Sequence, residues 1–183
     1  MKILRQFTLL LTLSLFIYPT TLAHAGIPEL SQIATNAATF AARTTATAWK
    51  TAAVPGNMFK LEGASISISS NVVVQLATIF LDDSKSGRYL ADCLLLPTHA
   101  LRFSTSTNQV TVYFGDGGCG GHIIVSASGG VGSRQHFADY SISAEICQIT
   151  DAIFAQVDAV NAAQPNQRPN TARGCVKTPA QGE

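Results

Sequence analysis

Apolar and polar residues alternate along several short stretches in the second half of the chain. Alternation with a period of two residues is typical of a strand with one buried face. Glycine-rich segments at 115–121 and 129–133 separate these stretches and predict tight reversals between strands. The pattern therefore predicts an antiparallel meander whose apolar positions are Leu101 and Phe103, then Val110, Val112 and Phe114, then Ile123, Val125 and Ala127, with a last strand over 135–142.

Two other segments, one well before this meander and one directly after it, show helical spacing instead. The alanine- and threonine-rich segment from Pro28 to Val54 predicts a helix of roughly 20 residues, which Pro55-Gly56 ends. Ser143 is expected to cap a second helix. The apolar stripe of that helix is expected to hold Ile146, Ile149, Ile153, Val157 and Val160.

The segment between these helices is less uniform. Residues 59–68 alternate as a strand, and 88–96 predict a short helix that ends before Pro97. The apolar run from Val72 to Phe80 fits either a buried strand or a short helix capped by Asn71. The predicted fold class is α+β: an N-terminal helix packed on an antiparallel sheet, a second helix after the sheet, and disulfides that stabilise both.

The first 25 residues have the organisation of a secretory signal peptide. Lys2 and Arg5 precede an apolar run from Phe7 to Tyr18, and Ala23-His24-Ala25 supplies small residues at the cleavage positions. The run is shorter than the roughly 20 residues of a membrane-spanning helix, so cleavage before Gly26 is favoured over an uncleaved anchor. We therefore expect a signal peptide over 1–25, one domain over 26–163 and a polar tail over 164–183, in a periplasmic or extracellular protein.

Cleavage changes the charge of the protein. The full chain has a formal charge of +1, which becomes −1 when Lys2 and Arg5 are removed. The sequence contains no cluster of lysine and arginine, so nucleic acid is not an expected partner. Contact with a membrane is expected only through an uncleaved signal peptide.

The four cysteines, Cys93, Cys119, Cys147 and Cys175, all follow the signal peptide. An even number in an exported protein predicts two disulfides, with three possible pairings. Cys147 with Cys175 and Cys93 with Cys119 is the favoured pairing, because it ties the polar tail to the start of a helix. A zinc site is disfavoured since no two cysteines lie within four residues of each other, and no metal or other cofactor is expected.

Candidate catalytic residues are few. The segment Gly115–Gly121 lacks the lysine of a phosphate-binding loop and the serine of a serine-protease loop, so Cys119 is expected in a cross-linked turn. The aspartates at 82 and 83 are expected in a solvated turn. His122 and His136 fall on neighbouring predicted strands and could meet Asp116 or Asp139 as an acid/base pair.

The order of the elements resembles the globular part of type IVb pilins. The resemblance is carried by Leu96-Pro97 before a strand, the strand entry Gly120-Gly121-His122, the turn Gly129-Gly130 and the segment from Tyr140 to Cys147. It implies a long N-terminal helix, an antiparallel sheet and a late cysteine that pairs across the C-terminal region. The prepilin N-terminal motif itself is absent.

Three functions remain open at the level of the sequence. The favoured one is a non-enzymatic envelope or surface protein that contacts other envelope, pilus or secretion-system proteins. The first alternative is a small exported hydrolase that uses His122 or His136 with Asp116 or Asp139. The second is a periplasmic binding module with an apolar groove between the first helix and the sheet. A groove filled by Phe40 and Trp49 would count against it.

Overall fold

The structure is a computed structural model and describes residues 26–54, 58–88, 96–115, 122–129 and 136–164. These residues form four helices and seven strands. In chain order the elements are α1 (Pro28–Ser31), α2 (Ala37–Arg43), β1 (Thr45–Val54), β2 (Met58–Ile68), α3 (Ser70–Phe80), β3 (Ser86–Arg88), β4 (Pro97–Ser104), β5 (Asn108–Gly115), β6 (His122–Gly129), β7 (His136–Ile142) and α4 (Glu145–Ala162).

All seven strands belong to one antiparallel sheet with the order β2-β1-β4-β5-β6-β7-β3. Strands β4 to β7 are neighbours both in the chain and in the sheet, so the predicted meander is confirmed. The hairpin β1–β2 lies beside β4 at one end of the sheet, and the three-residue strand β3 pairs with β7 at the other.

One face of the sheet packs against the helices and forms the main core. Phe40 of α2 and Phe80 of α3 both contact the Phe103 ring edge-to-face, with centroids 5.3 and 6.0 Å apart. From α4, Phe154 contacts Phe114 in the same way at 5.2 Å. Burial of these aromatic side chains helps to hold the helices on the sheet.

The predicted arrangement of helices is wrong. A single long helix was expected over 28–54, but α1 and α2 are short and the chain enters β1 at Thr45. Thr44 adopts an extended backbone conformation, and its hydroxyl bonds back to the carbonyl of Phe40. The β-branched threonines that follow favour a strand, while alanine at alternate positions satisfies either period. Residues 45–54 therefore form a strand because they pair with β2 and β4, although alanine alone prefers a helix.

The other helices correct or resolve further expectations. Residues Ser70–Phe80 form a helix, which settles the open choice for the run from Val72 to Phe80 and places a helix between strands. The predicted C-terminal helix is present as α4. Val160 was assigned to its apolar stripe but is 40% exposed, whereas Phe154 and Asn161 are buried.

Disulfide stabilisation, part of the predicted fold class, is not shown. Only Cys147 lies in the described part of the chain, so no disulfide joins two described residues. Cys93, Cys119 and Cys175, and with them both predicted pairings, lie outside it, as does the predicted signal peptide. Of the short helix predicted over 88–96, only Arg88 and Leu96 are described, and Arg88 belongs to strand β3. None of the helices described is long and apolar enough to cross a membrane.

A bulge bends the hairpin β1–β2. The register shifts between Ala48 and Lys50, where Gly63 of β2 adopts a φ of 73° that favours glycine. At this bulge the Asn161 side chain of α4 supplies the two hydrogen bonds that a neighbouring strand would otherwise make. Ala64 N donates to Oδ1 of Asn161 at 2.8 Å, and Nδ2 of Asn161 donates to the Ala64 carbonyl at 2.9 Å. Nδ2 also donates to the carbonyl of Val157.

We expect Asn161→Asp to lower the free energy of unfolding by about 2 kcal/mol or more. The carboxylate still accepts from Ala64 N, but it cannot donate to the two carbonyl groups and places a negative charge beside them. Urea unfolding at pH 7 measures the change. Gln156→Glu is the matched control because it makes the same amide-to-acid change on the exposed side of α4; equal destabilisation by both substitutions would contradict this role of Asn161.

Candidate functional site

The face of the sheet opposite the helices, called here the second face, carries the predicted histidine–aspartate pair. His122 on β6 and Asp139 on β7 are diagonal neighbours, because Ile124 lies directly opposite Asp139 and His122 is two residues from Ile124. Their side chains meet with His122 Nε2 3.0 Å from Asp139 Oδ1. The other two predicted members, Asp116 and the side chain of His136, lie outside the described residues.

The two partners differ strongly in exposure. The His122 side chain is 8% exposed and that of Asp139 is 49% exposed. A carboxylate can only accept, so Nε2 of His122 carries a proton in this contact. Asp139 thus fixes the orientation of the imidazole at the rim of the second face, as the orienting acid does for a general base.

Aromatic side chains occupy the middle of the same face. Phe59 contacts Tyr113 and Phe137, with ring centroids 5.5 and 6.2 Å apart. In sheet order β2 is five strands from β7, which in a flat sheet would separate them by about 24 Å. The contact therefore shows that the sheet curls strongly and that the second face is concave.

A small second core lies in this concavity. Ala100, Tyr113 and Ile124 are buried there, and Phe59 and Leu61 pack against them. Burial raises the pKa of Tyr113, which nearby Arg102 partly offsets. The phenol therefore stays neutral through the physiological range. Toward the edge of the face, the guanidinium of Arg102 lies 5.9 Å from the centroid of the Trp49 ring.

The binding-module hypothesis expected an apolar groove between the first helix and the sheet, and a groove filled by Phe40 and Trp49 would count against it. Phe40 is fully buried in the main core. Trp49 lies on the second face, because it pairs with Ala100 of that face. The two residues are therefore on opposite sides of the sheet and do not together fill one groove.

A second histidine–aspartate contact lies on the helix side of the sheet, where sequence reasoning had assigned nothing. His99 Nε2 of β4 lies 3.1 Å from Asp158 Oδ1 of α4, and Lys50 Nζ of β1 lies 2.9 Å from the same oxygen. The His99 ring also stacks on Phe154, with centroids 4.6 Å apart. One available signal was the spacing of Phe154 and Asp158, which one helical turn brings to the same side of α4.

A bulge in β4 adds a hydroxyl group to this cluster. Thr98 Oγ1 lies 3.1 Å from Nδ1 of His99 and 3.5 Å from the carbonyl oxygen of Gly115. Pro97 pairs with Gly115 but has no N–H, so the Thr98 hydroxyl is the donor in reach of that carbonyl. The Asp158 carboxylate can only accept, so Nε2–H of His99 donates to Oδ1. Hydroxyl, imidazole and carboxylate form one hydrogen-bonded chain.

Electrostatics favour the ionised form of Asp158. Burial alone would raise the pKa of Asp158, but hydrogen bonds and charge interactions with Lys50 and His99 outweigh it and hold the pKa below the ordinary value. In chemical terms the cluster is a cross-link that holds α4 to β1 and β4. Among the residues described, no group of three or more metal-ligating side chains occurs.

The comparisons with known proteins give no match: no protein-family model, no curated protein and no solved structure is similar to this chain. The resemblance to type IVb pilins therefore stays a prediction.

Replacing Asp158 by asparagine should lower the free energy of unfolding at neutral pH, and this decrease should become smaller in acid. A carboxyl group whose pKa is depressed in the folded state stabilises that state above its unfolded pKa of about 3.9, and the contribution is lost as the pH falls through the folded pKa. Because the Asp158 side chain is 49% exposed, we expect a loss of only about 0.5–1 kcal/mol at pH 6. Urea unfolding between pH 3 and 7 should show that the loss narrows below about pH 4.

Asp151→Asn is the control for this experiment, because Asp151 is exposed on the same helix. A pH-independent difference between Asp158→Asn and the unaltered protein would contradict the assigned role of the carboxylate. So would an equal effect of Asp151→Asn.

Proposed function

We propose that this chain is an exported, non-enzymatic envelope or surface protein that acts through protein–protein contacts of its second face. The observation that carries the proposal is the exposure of Phe137. Its side chain is 39% exposed while its ring lies 6.2 and 6.3 Å from the rings of Phe59 and Tyr113. This exposed ring continues a packed aromatic cluster to the surface and so offers an apolar contact to a partner.

The composition of the second face supports the proposal further. Trp49, Arg102 and Phe137 share this face, and Trp, Phe and Arg are among the residue types enriched at protein interfaces. The His122–Asp139 pair lies among them and supplies polar groups near the rim. A partner could therefore bury aromatic rings at the centre and meet polar groups at the edge, which is the usual anatomy of such interfaces.

The pilin-like part of the expected function is proposed on the sequence resemblance alone. Envelope, pilus or secretion-system proteins are the proposed partners, because the N-terminal segment has the organisation of a signal peptide. A periplasmic or extracellular location follows from the same segment.

A photo-crosslinking amino acid at position 137 should form a discrete adduct with one envelope protein in intact cells. Position 160 on α4 is the matched control, because Val160 is equally exposed but lies on a different surface. The adduct should be weakened when Trp49→Ala is combined with the label at 137, since Trp49 shares the second face. Absence of an adduct at 137, or the same adduct from 160, would contradict the proposal.

A small hydrolase is the second candidate, and the 3.0 Å contact between His122 and Asp139 is the observation that favours it. His122 would act as the general base toward a water molecule or a hydroxyl group, and Asp139 would orient it. If so, His122→Gln should lower the hydrolysis of a chromogenic ester by at least about 100-fold. The control His99→Gln should retain the activity. Hydrolysis that survives His122→Gln would exclude this pair as the catalytic site.

A further inference from the structure

The first two described residues are tightly fitted against the end of α3. Gly26 has a φ of 79°, and a Cβ atom added to it would lie 2.2 Å from the carbonyl oxygen of Phe80. Ile27 N donates to that same oxygen at 2.8 Å, and the Ile27 side chain is fully buried in the main core. Position 26 therefore accepts only glycine.

The nitrogen of Gly26 has a charged acceptor. It donates a hydrogen bond to Oδ1 of Asp83, which lies in the turn after α3. The neighbouring Asp82 has a different task, because its Oδ1 accepts from the backbone and the hydroxyl of Ser84 at 2.9 and 2.7 Å. The two adjacent aspartates, expected from the sequence to form a plain turn, are thus not equivalent.

Asp83 makes no ion pair with a lysine or arginine in the part of the chain that the structure describes. Lys85 is the lysine closest to Asp83 in the sequence, but its Nζ lies 2.6 Å from Oε2 of Glu145. It therefore links the turn to the start of α4. A carboxylate that accepts from a backbone nitrogen and lacks a cation is suited to a positive charge on that nitrogen. Cleavage before Gly26 would place such a charge there.

We propose that cleavage of the Ala25–Gly26 bond creates an α-ammonium group on Gly26 that forms an ion pair with Asp83 and docks the mature N-terminus on the end of α3. A peptidase hydrolyses the bond with one water molecule, which leaves a carboxylate on Ala25 and an amino group on Gly26. That amino group takes up a proton at neutral pH. A hydrogen bond between neutral and charged groups becomes one between two opposite charges, which is stronger.

The fit at position 26 makes the docking specific for this cleavage site. Cleavage after Ala23 would leave His24 and Ala25 ahead of Gly26, so the ammonium group would be two residues away from the nitrogen that contacts Asp83. Cleavage after Gly26 would remove that nitrogen and the residue that alone fits beside Phe80. The predicted signal peptide and the glycine-specific contact therefore point to the same bond.

This inference rests on the export part of the proposed function, but its test does not depend on any partner. The test compares purified protein that begins at Gly26 with the same protein acetylated on Gly26. Acetylation keeps one N–H and removes only the charge. Each form is studied with and without Asp83→Asn by urea unfolding at pH 6.5.

In the free-amino form, Asp83→Asn should raise the equilibrium constant for unfolding about threefold, and in the acetylated form clearly less. The difference should disappear in 1 M salt, which screens an exposed pair. Asp82→Asn is the matched control and should destabilise both forms equally, because Asp82 bonds only within its turn. An equal effect of Asp83→Asn on both forms would overturn the ion pair.

The N-terminal residue of the exported protein provides the second readout. Its intact mass should correspond to a chain that begins at Gly26. A different first residue would overturn the cleavage site even if the protein is exported and forms the crosslink expected at position 137. Failure of the docking and failure of the proposed interaction function are therefore distinguishable.

Discussion

The hydrogen bonds between the Asn161 side chain and the backbone of Ala64 hold the bend on which the second face depends. At the bulge, Ala64 lacks a regular partner on β1, and each hydrogen bond that its half-buried backbone groups would lose contributes about 0.5–1.5 kcal/mol. Asn161 supplies both a donor and an acceptor, so the strand can turn without that cost. The bend then carries Phe59 over Tyr113 and toward β7.

Elements with a single strong period were predictable from the sequence. The sequences of β4 to β7 alternate between apolar and polar residues, and α4 has apolar residues at spacings of three and four. The segment 45–54 was misassigned because its alanines fit a helix as well as a strand. It forms a strand because it pairs on one side with β2, the next strand in the chain, and on the other with the more distant β4. Intrinsic preference decides little where both neighbours are strands.

The two histidine–aspartate pairs also differ in whether a local sequence pattern could predict them. His122 and Asp139 lie on adjacent strands of a meander, so a correct register is enough to bring them together. His99 and Asp158 meet only because α4 crosses the sheet over β1 and β4, which no local pattern encodes. The burial of Asn161 was likewise not predictable from local sequence. It is a polar residue at the end of a helix, and its contact with β2 explains why it is only 3% exposed.

The contact between Gly26 and Asp83 depends both on a local sequence pattern and on a long-range contact of the fold. Small residues before position 26 predict a cleavage site from local chemistry alone. The φ of Gly26 and the carboxylate of Asp83 are set by the end of α3, more than fifty residues away in the chain. A signal peptidase selects residues that precede the bond, whereas the fold constrains the residue that follows it. Agreement between these independent constraints at one peptide bond is what gives the inferred ion pair its physical basis.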